Sequence, residues 1–166
     1  MPEKKTMQRA RKDAHQGKSP STQAGEFVRE EMDHVRQGKH GARSPKQAIA
    51  IGLSKARRAG VKLPPPKKGT ASEGTRARAS RDTAKGARGS TPVSRKRSRA
   101  VSNALKREGR TAASHSALSR QAHASAEKRG AADRRKAARK AVRTKGSAGL
   151  RQAAKKAART RARHSR

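Results

Sequence analysis

The stretch SPKQAIAIGLSKARRAG, residues 44–60, decides the fold because it carries a complete set of helix signals. Ser44 is a good N-cap residue, Pro45 suits the first helical position, and Gln47 sits where a capping box needs it. Gly60 ends the helix, because the residue after a helix commonly needs positive φ. An apolar stripe recurs at helical spacing between these signals: Ala48, Ile49, Gly52, Leu53 and Ala56. The stretch therefore predicts one amphipathic helix.

A partner helix is predicted just upstream. It can start at Ser19-Pro20 or at Ser21, and Gly38 supplies its end. Its apolar residues fall three and four positions apart: Ala24, Phe27, Val28, Met32 and Val35. The loop GKHGAR joins the two helices, so residues 19–63 are expected to form a helical hairpin.

The remaining segments lack comparable apolar periodicity. We expect residues 1–18 to be a flexible basic arm, and residues 64–90, which begin with PPP, to be a Pro/Gly/Ser-rich linker. Residues 91–166 read as a basic tail with helix propensity, opened by Thr91-Pro92. Within it, residues 130–145 and 146–161 match at nine of sixteen positions. The fold class predicted is mainly α, a short N-terminal helical hairpin followed by a largely disordered or transiently helical Ala/Lys/Arg-rich tail.

The net positive charge of the chain indicates the kind of partner that it binds. The chain has 46 Lys+Arg against 11 Asp+Glu, a formal net charge of +35 over 166 residues, and residues 67–166 carry 31 of the basic and five of the acidic side chains. Such a polycation is attracted to a dense polyanion. No cysteine, signal-peptide segment or membrane-length apolar run is present, so we expect a soluble cytoplasmic protein without membrane attachment.

The candidate nucleic-acid-binding residues are the cations of both parts. Phosphate contacts from Lys and Arg supply affinity without reading base sequence. In the hairpin they surround the loop and load the second helix: Lys39, His40, Arg43, Lys46, Lys55, Arg57 and Arg58. In the tail they are Arg95, Lys96, Arg97, Arg99, Arg135, Lys136, Arg139, Lys140, Arg143, Arg151, Lys155, Lys156 and Arg159.

Other classes of site find little support in the residues. The serines and glycines form no nucleophile elbow, Walker or dinucleotide motif, and the six histidines show no metal-ligand spacing with carboxylates. We therefore expect no enzyme activity, no catalytic residues, no metal and no cofactor. Phe27 is the only aromatic residue, so stacking platforms for single strands are not expected.

Part of the hairpin also resembles a known family. The motif K-H-G followed by K-Q-A-I-A-I-x-L-S-x-A-R is matched by residues 39–41, 46–51, 53–54 and 56–57. It resembles a bacterial family of small basic proteins of unknown function, some labelled plasmid stabilisation protein, over roughly residues 21–63. The resemblance implies a bacterial cytoplasmic origin and supplies no functional residues. In composition alone, the tail is similar to those of histone H1-like nucleoid proteins.

The function predicted is non-enzymatic, largely sequence-independent binding of double-stranded DNA in the bacterial nucleoid. Two alternatives stay open. RNA or the ribosome offers the same phosphate chemistry, and the hairpin could instead be a protein-interaction module, self-association included, with the tail as an electrostatic anchor.

Overall fold

The structure, a computed structural model, describes residues 2–89 and 94–164, with only the backbone at residue 164. The predicted helix start at Thr91-Pro92 lies outside these residues. Every regular element in the described ranges is helical. The elements are α1 Lys4–His15, α2 Pro20–Arg36, α3 Pro45–Arg58, α4 Glu73–Ala87, α5 Arg95–Lys106, a 3₁₀ turn Thr111–Ala113, α6 His115–Lys128, and α7 Gly130–His164, interrupted at Gly146. They fall into two compact units, divided between Gln121 and Ala122.

The helix α3 forms as the sequence predicts. Ser44 caps it by accepting a hydrogen bond from the Gln47 amide at 3.3 Å, and Pro45 is the first helical residue. At the other end Gly60 has φ +92°, and the Val61 amide returns to the Ala56 carbonyl at 3.1 Å. This is the hydrogen-bond pattern of a Schellman motif, so both predicted ends of the helix are confirmed.

The hairpin of α2 and α3 does not enclose its core alone. One apolar cluster, which we call the Phe27 cluster, takes residues from α1 through the segment after α3: Met7, Ala10, Ala24, Phe27, Leu53, Ala56, Ala59, Val61 and Leu63. A second, the Val35 cluster, adds residues from the 3₁₀ turn and α6: Val28, Met32, Val35, Ala42, Ala48, Ile49, Ala112, Ala113 and Leu118. A hairpin of about 40 residues cannot bury enough apolar surface, and these flanking segments supply the rest.

The segment predicted as a linker contains a docked helix. In α4, Asp82 accepts hydrogen bonds from the Ser54 hydroxyl at 2.6 Å and from Arg58 Nε at 2.7 Å. Gly86 lies so close to the Arg57 carbonyl that a Cβ there would overlap it. The close approach at Gly86 and the hydrogen bonds of Asp82 therefore hold α4 against α3. A contact of this kind does not require apolar residues at helical spacing, so the sequence shows no apolar period here.

The turn between α2 and α3 is held from outside the hairpin. The Gly41 amide donates to the Leu105 carbonyl at 2.8 Å, and the Ala42 amide donates to the Gly109 carbonyl at 2.9 Å. Arg36 Nε donates to the Ala113 carbonyl at 3.1 Å. Residues 105–113 are therefore part of the first compact unit, although the sequence places them in the tail.

The expectation of a largely disordered tail is wrong. The described residues from 122 to 164 form a unit of their own, in which α7 is helical on both sides of Gly146. Gly130 (φ +67°) and Gly146 (φ +63°) start the two copies of the sequence repeat. Disorder was expected because these segments have little apolar surface to bury, but Ala, Lys and Arg have high helix propensity, and the segments are helical in the structure. The corrected fold class is an all-helical chain, not a hairpin followed by a disordered tail.

Candidate nucleic-acid interface

The two arginines at the end of α3 are used inside the first unit. Arg57 is 7% exposed and donates to the Leu63 and Pro64 carbonyls, both at 3.3 Å. Burial lowers the pKa of its guanidinium from the ordinary value, although the nearby Asp82 carboxylate opposes this. Arg58 pairs with the same Asp82. Arg57 holds the chain that leaves α3, and Arg58 holds α4.

Lys55 is likewise committed to buried carboxylates. Its Nζ lies 2.6 Å from Glu31 Oε2 and 3.7 Å from Glu30 Oε1, and these two carboxylates are only 1% and 2% exposed. Buried carboxylates need a cation, and removing it would leave them uncompensated. Lys55 therefore balances charge between α2 and α3.

The K-H-G residues meet acids from two other segments. Glu3 Oε1 accepts from His34 Nε2 at 2.8 Å and from Lys39 Nζ at 3.0 Å. These hydrogen bonds, first from His34 and then from Lys39, lower the pKa of Glu3 from 4.5 to about 2. His40 Nε2 lies 3.1 Å from Glu31 Oε1.

A group of possible ligands gathers at this turn. One ligand atom each from Glu31, His34 and His40 lies within 4.8 Å of the others. The spacing of the histidines in the sequence predicted no metal ligands, so this group was not expected. A local signal exists, because Glu31 and His34 stand three residues apart on one helix, a spacing that puts both on the same face. His40 is contributed by the turn.

Two hairpin cations remain available at the start of α3. Arg43 has an 81% exposed side chain and lies 3.5 Å from Glu108 Oε1, a weak surface pair. Lys46 is exposed in the first turn of α3. The positive end of the α3 dipole lies at the same place. Together with these two cations, it makes the start of α3 a small positively charged surface.

The predicted tail cations stay on the surface. The four in α5 are exposed: Arg95, Lys96, Arg97 and Arg99. The nine in α7 are exposed as well: Arg135, Lys136, Arg139, Lys140, Arg143, Arg151, Lys155, Lys156 and Arg159. Within the described ranges, none of these thirteen side chains forms an ion pair with an acid. Their charge is therefore available to an external partner.

Each copy of the repeat carries the same row of cations along its helix. Arg135, Arg139 and Arg143 in the first copy correspond to Arg151, Lys155 and Arg159 in the second, each four residues apart. We call these two sets the first and second stripe. At about 100° per residue, a spacing of four keeps each stripe within roughly 80° of the helix circumference. Each helix of α7 thus carries one row of aligned cations, with further exposed cations such as Lys136 and Lys156 beside it.

Comparison with known proteins yields one family match. Residues 15–68 match the model of a family of unknown function (DUF6496). The matched segment contains α2, α3 and the K-H-G turn, and ends before α4. Searches of the curated proteins and of the solved structures returned no match. Among the described residues, no helix combines the length and the apolar character that crossing a membrane requires.

Proposed function

We propose that this protein binds double-stranded DNA through its phosphates, without catalysis and largely without sequence preference, as a component of the bacterial nucleoid. The observation that carries the proposal is the pair of exposed cationic stripes on α7, whose six side chains form no ion pair within the described part of the chain. A DNA-associated role also accords with the plasmid-stabilisation label of some proteins that the hairpin resembles.

The charge density of this helix suits a duplex. Residues 122–166 hold 16 basic and two acidic side chains, a net charge of +14. Between residues 135 and 143, five cations lie along a helix of about 12 Å. Duplex DNA carries one phosphate charge per about 1.7 Å of its axis, so the two densities are of the same order.

The geometry favours backbone contact over base readout. Arg and Lys that project from one face of an exposed helix reach phosphates by charge alone, and that mode carries no base information. No aromatic side chain occurs after Phe27 to stack on an unpaired base. The first unit adds a smaller contact at Arg43 and Lys46.

The test is a binding titration of the full-length protein on random duplex DNA at several salt concentrations. Replacing all six stripe residues by Gln should weaken binding and reduce the salt slope by up to about 5, because each phosphate contact contributes about 0.9. A matched control replaces six exposed cations of α1 and α4 by Gln: Lys4, Lys5, Arg11, Lys12, Arg78 and Lys85.

The control removes the same charge from the first unit, so it should retain most of the affinity and slope. Equal losses in both variants would show that net charge alone governs binding and would overturn the assignment to the stripes. Failure of the wild-type protein to bind duplex DNA at about 0.1 M salt would overturn the function itself.

RNA is the competing partner because its phosphates offer the same chemistry. Structured RNA in the same titration decides between the two. A preference for RNA that persists across the salt range would replace the nucleoid assignment by a ribosomal or RNA-associated one.

A further inference from the structure

The cluster of Glu31, His34 and His40 is not accounted for by phosphate binding. Glu31 and His34 lie on one face of α2, and His40 comes from the turn before α3. The Glu31 side chain is 1% exposed, and the two histidine side chains are 13% and 15% exposed. Three groups of this kind, sheltered from solvent and gathered within 4.8 Å, are the ligand types that Zn²⁺ prefers.

The tautomer of His40 is set by its neighbour. Nδ1 lies 3.0 Å from the Gly41 carbonyl oxygen, which can only accept, so Nδ1 carries a proton and donates. In the neutral imidazole this leaves the Nε2 lone pair facing Glu31. Metal-binding histidines are commonly fixed in this way, with one ring nitrogen on a carbonyl and the other on the ion.

The distance between His40 and Glu31 is short enough for two ligands that share an ion. Nε2 and Glu31 Oε1 are 3.1 Å apart, and neither oxygen of this buried carboxylate has an aligned hydrogen bond, although Lys55 Nζ lies 2.6 Å from Oε2. If both atoms bound an ion at about 2.1 Å, the Nε2 lone pair would point roughly 40° away from the line between them. A separation of 3.1 Å therefore fits two ligands of one ion.

The surroundings also orient the carboxylate. Lys55 Nζ holds the other Glu31 oxygen, Oε2, at 2.6 Å, which leaves Oε1 directed at the histidines. Glu3 Oε1 lies 2.8 Å from His34 Nε2, so an ion that bound this nitrogen would have to displace Glu3 from it. Lys39 pairs with Glu3, and the Glu30 carboxylate lies 3.7 Å from Lys55.

We propose that Glu31, His34 and His40 bind one divalent transition-metal ion, with Zn²⁺ the best match, and that His40 binds it through Nε2. Two imidazoles and one carboxylate supply three ligands and leave further coordination positions open. The ion would join α2 to the K-H-G turn. This site is independent of the stripes on α7, so it stands or falls without the DNA-binding proposal.

The test uses full-length, chelator-treated protein without DNA, titrated with ZnCl₂ and, separately, with CoCl₂. Calorimetry should give one bound ion, and Co²⁺ should develop visible absorption that Zn²⁺ abolishes. His40→Ala and Glu31→Gln should each weaken binding at least about 10- to 100-fold, the loss that even outer-shell changes cause. His115→Ala and His123→Ala, at exposed positions of α6, should bind as the wild type does.

A second measurement needs no variant and so does not depend on their folding. In ¹⁵N-labelled wild-type protein, the first equivalent of Zn²⁺ should shift the ring-nitrogen resonances of His34 and His40 and leave those of His115 and His123 in place. Absence of saturation near one equivalent, or a joint response of all histidines, would overturn the site. So would equal affinity in the His40→Ala and His115→Ala variants.

Discussion

Gly86→Ala tests whether α4 is docked on α3. In a free helix this substitution is favourable by up to about 1 kcal/mol, because alanine has the higher helix propensity. In the structure the new Cβ would overlap the Arg57 carbonyl oxygen and lie 3.2 Å from the Gly60 amide nitrogen. Both neighbours are backbone atoms, so the two helices would have to separate.

The cost follows from the contacts that separation weakens. Overpacking against rigid neighbours costs about 1–3 kcal/mol. The Asp82 hydrogen bonds to Ser54 and Arg58, at 2.6 and 2.7 Å, would lengthen as well. Because the Arg58 side chain is 56% exposed, solvent screens its share, and a net destabilisation of about 1–3 kcal/mol is expected.

Hydrogen exchange followed by mass spectrometry measures this directly on peptides that cover α4. A cost of about 1–3 kcal/mol corresponds to amide exchange faster by about 5- to 150-fold. Gly74→Ala is the matched control, since it lies in the same helix with no atom within 4 Å of its added Cβ. Exchange in Gly86→Ala as slow as in Gly74→Ala would refute the docking of α4.

Three further predictions concern the first unit. Phe27→Ala should lower the free energy of unfolding by about 3–5 kcal/mol in urea denaturation, because Phe27 is fully buried in the Phe27 cluster; a loss under 1 kcal/mol would contradict this core. Leu53→Asp should unfold the hairpin, as measured by circular dichroism, yet gel shifts should show that much of the duplex DNA binding remains. Loss of all binding would contradict the assignment of the DNA affinity to α7. Since the pKa of Glu3 is lowered to about 2, its ionised form stabilises the fold fully above about pH 4.5, and this contribution is lost as the pH falls towards 2. Glu3→Gln should remove that part of the pH dependence of the melting temperature. If the melting temperature of the variant fell between pH 4.5 and 2 as steeply as that of the wild type, the contacts of Glu3 would be contradicted.

Strong local signals predicted the hairpin well. The ends of α3 follow from Ser44, Pro45 and Gly60, whose effects act within one turn of the helix. The apolar stripes of both helices likewise identified Phe27 and Val35 as core residues, and these two are fully buried. Local sequence is sufficient where capping and apolar spacing agree.

The docked helices could not be predicted in the same way. The contact of α4 depends on Gly86 and Asp82 meeting residues that are more than 20 positions away, and no periodic pattern records such a contact. The roles of Lys55 and Arg57 were hidden for the same reason. A cation on a basic helix looks available to solvent until the fold places it beside a buried carboxylate or carbonyl. In contrast, the alignment of exposed cations such as Arg135 and Arg151 follows from their helical spacing alone.

The left-handed glycines of α7 make its cationic surface modular. Because Gly130 and Gly146 each restart a helix at the first residue of a 16-residue copy, the cations of a copy keep their register whatever happens in the neighbouring copy. Insertion of one whole copy would lengthen the cationic surface by about 24 Å. Insertion of a single residue within a copy would rotate the residues that follow it by about 100°. The stripe of that copy would be interrupted, whereas the residues of the other stripe would keep their spacing of four. Duplication can therefore adjust the length of this cationic surface, and with it the length of DNA that the proposed function would cover, without redesign of the folded N-terminal unit.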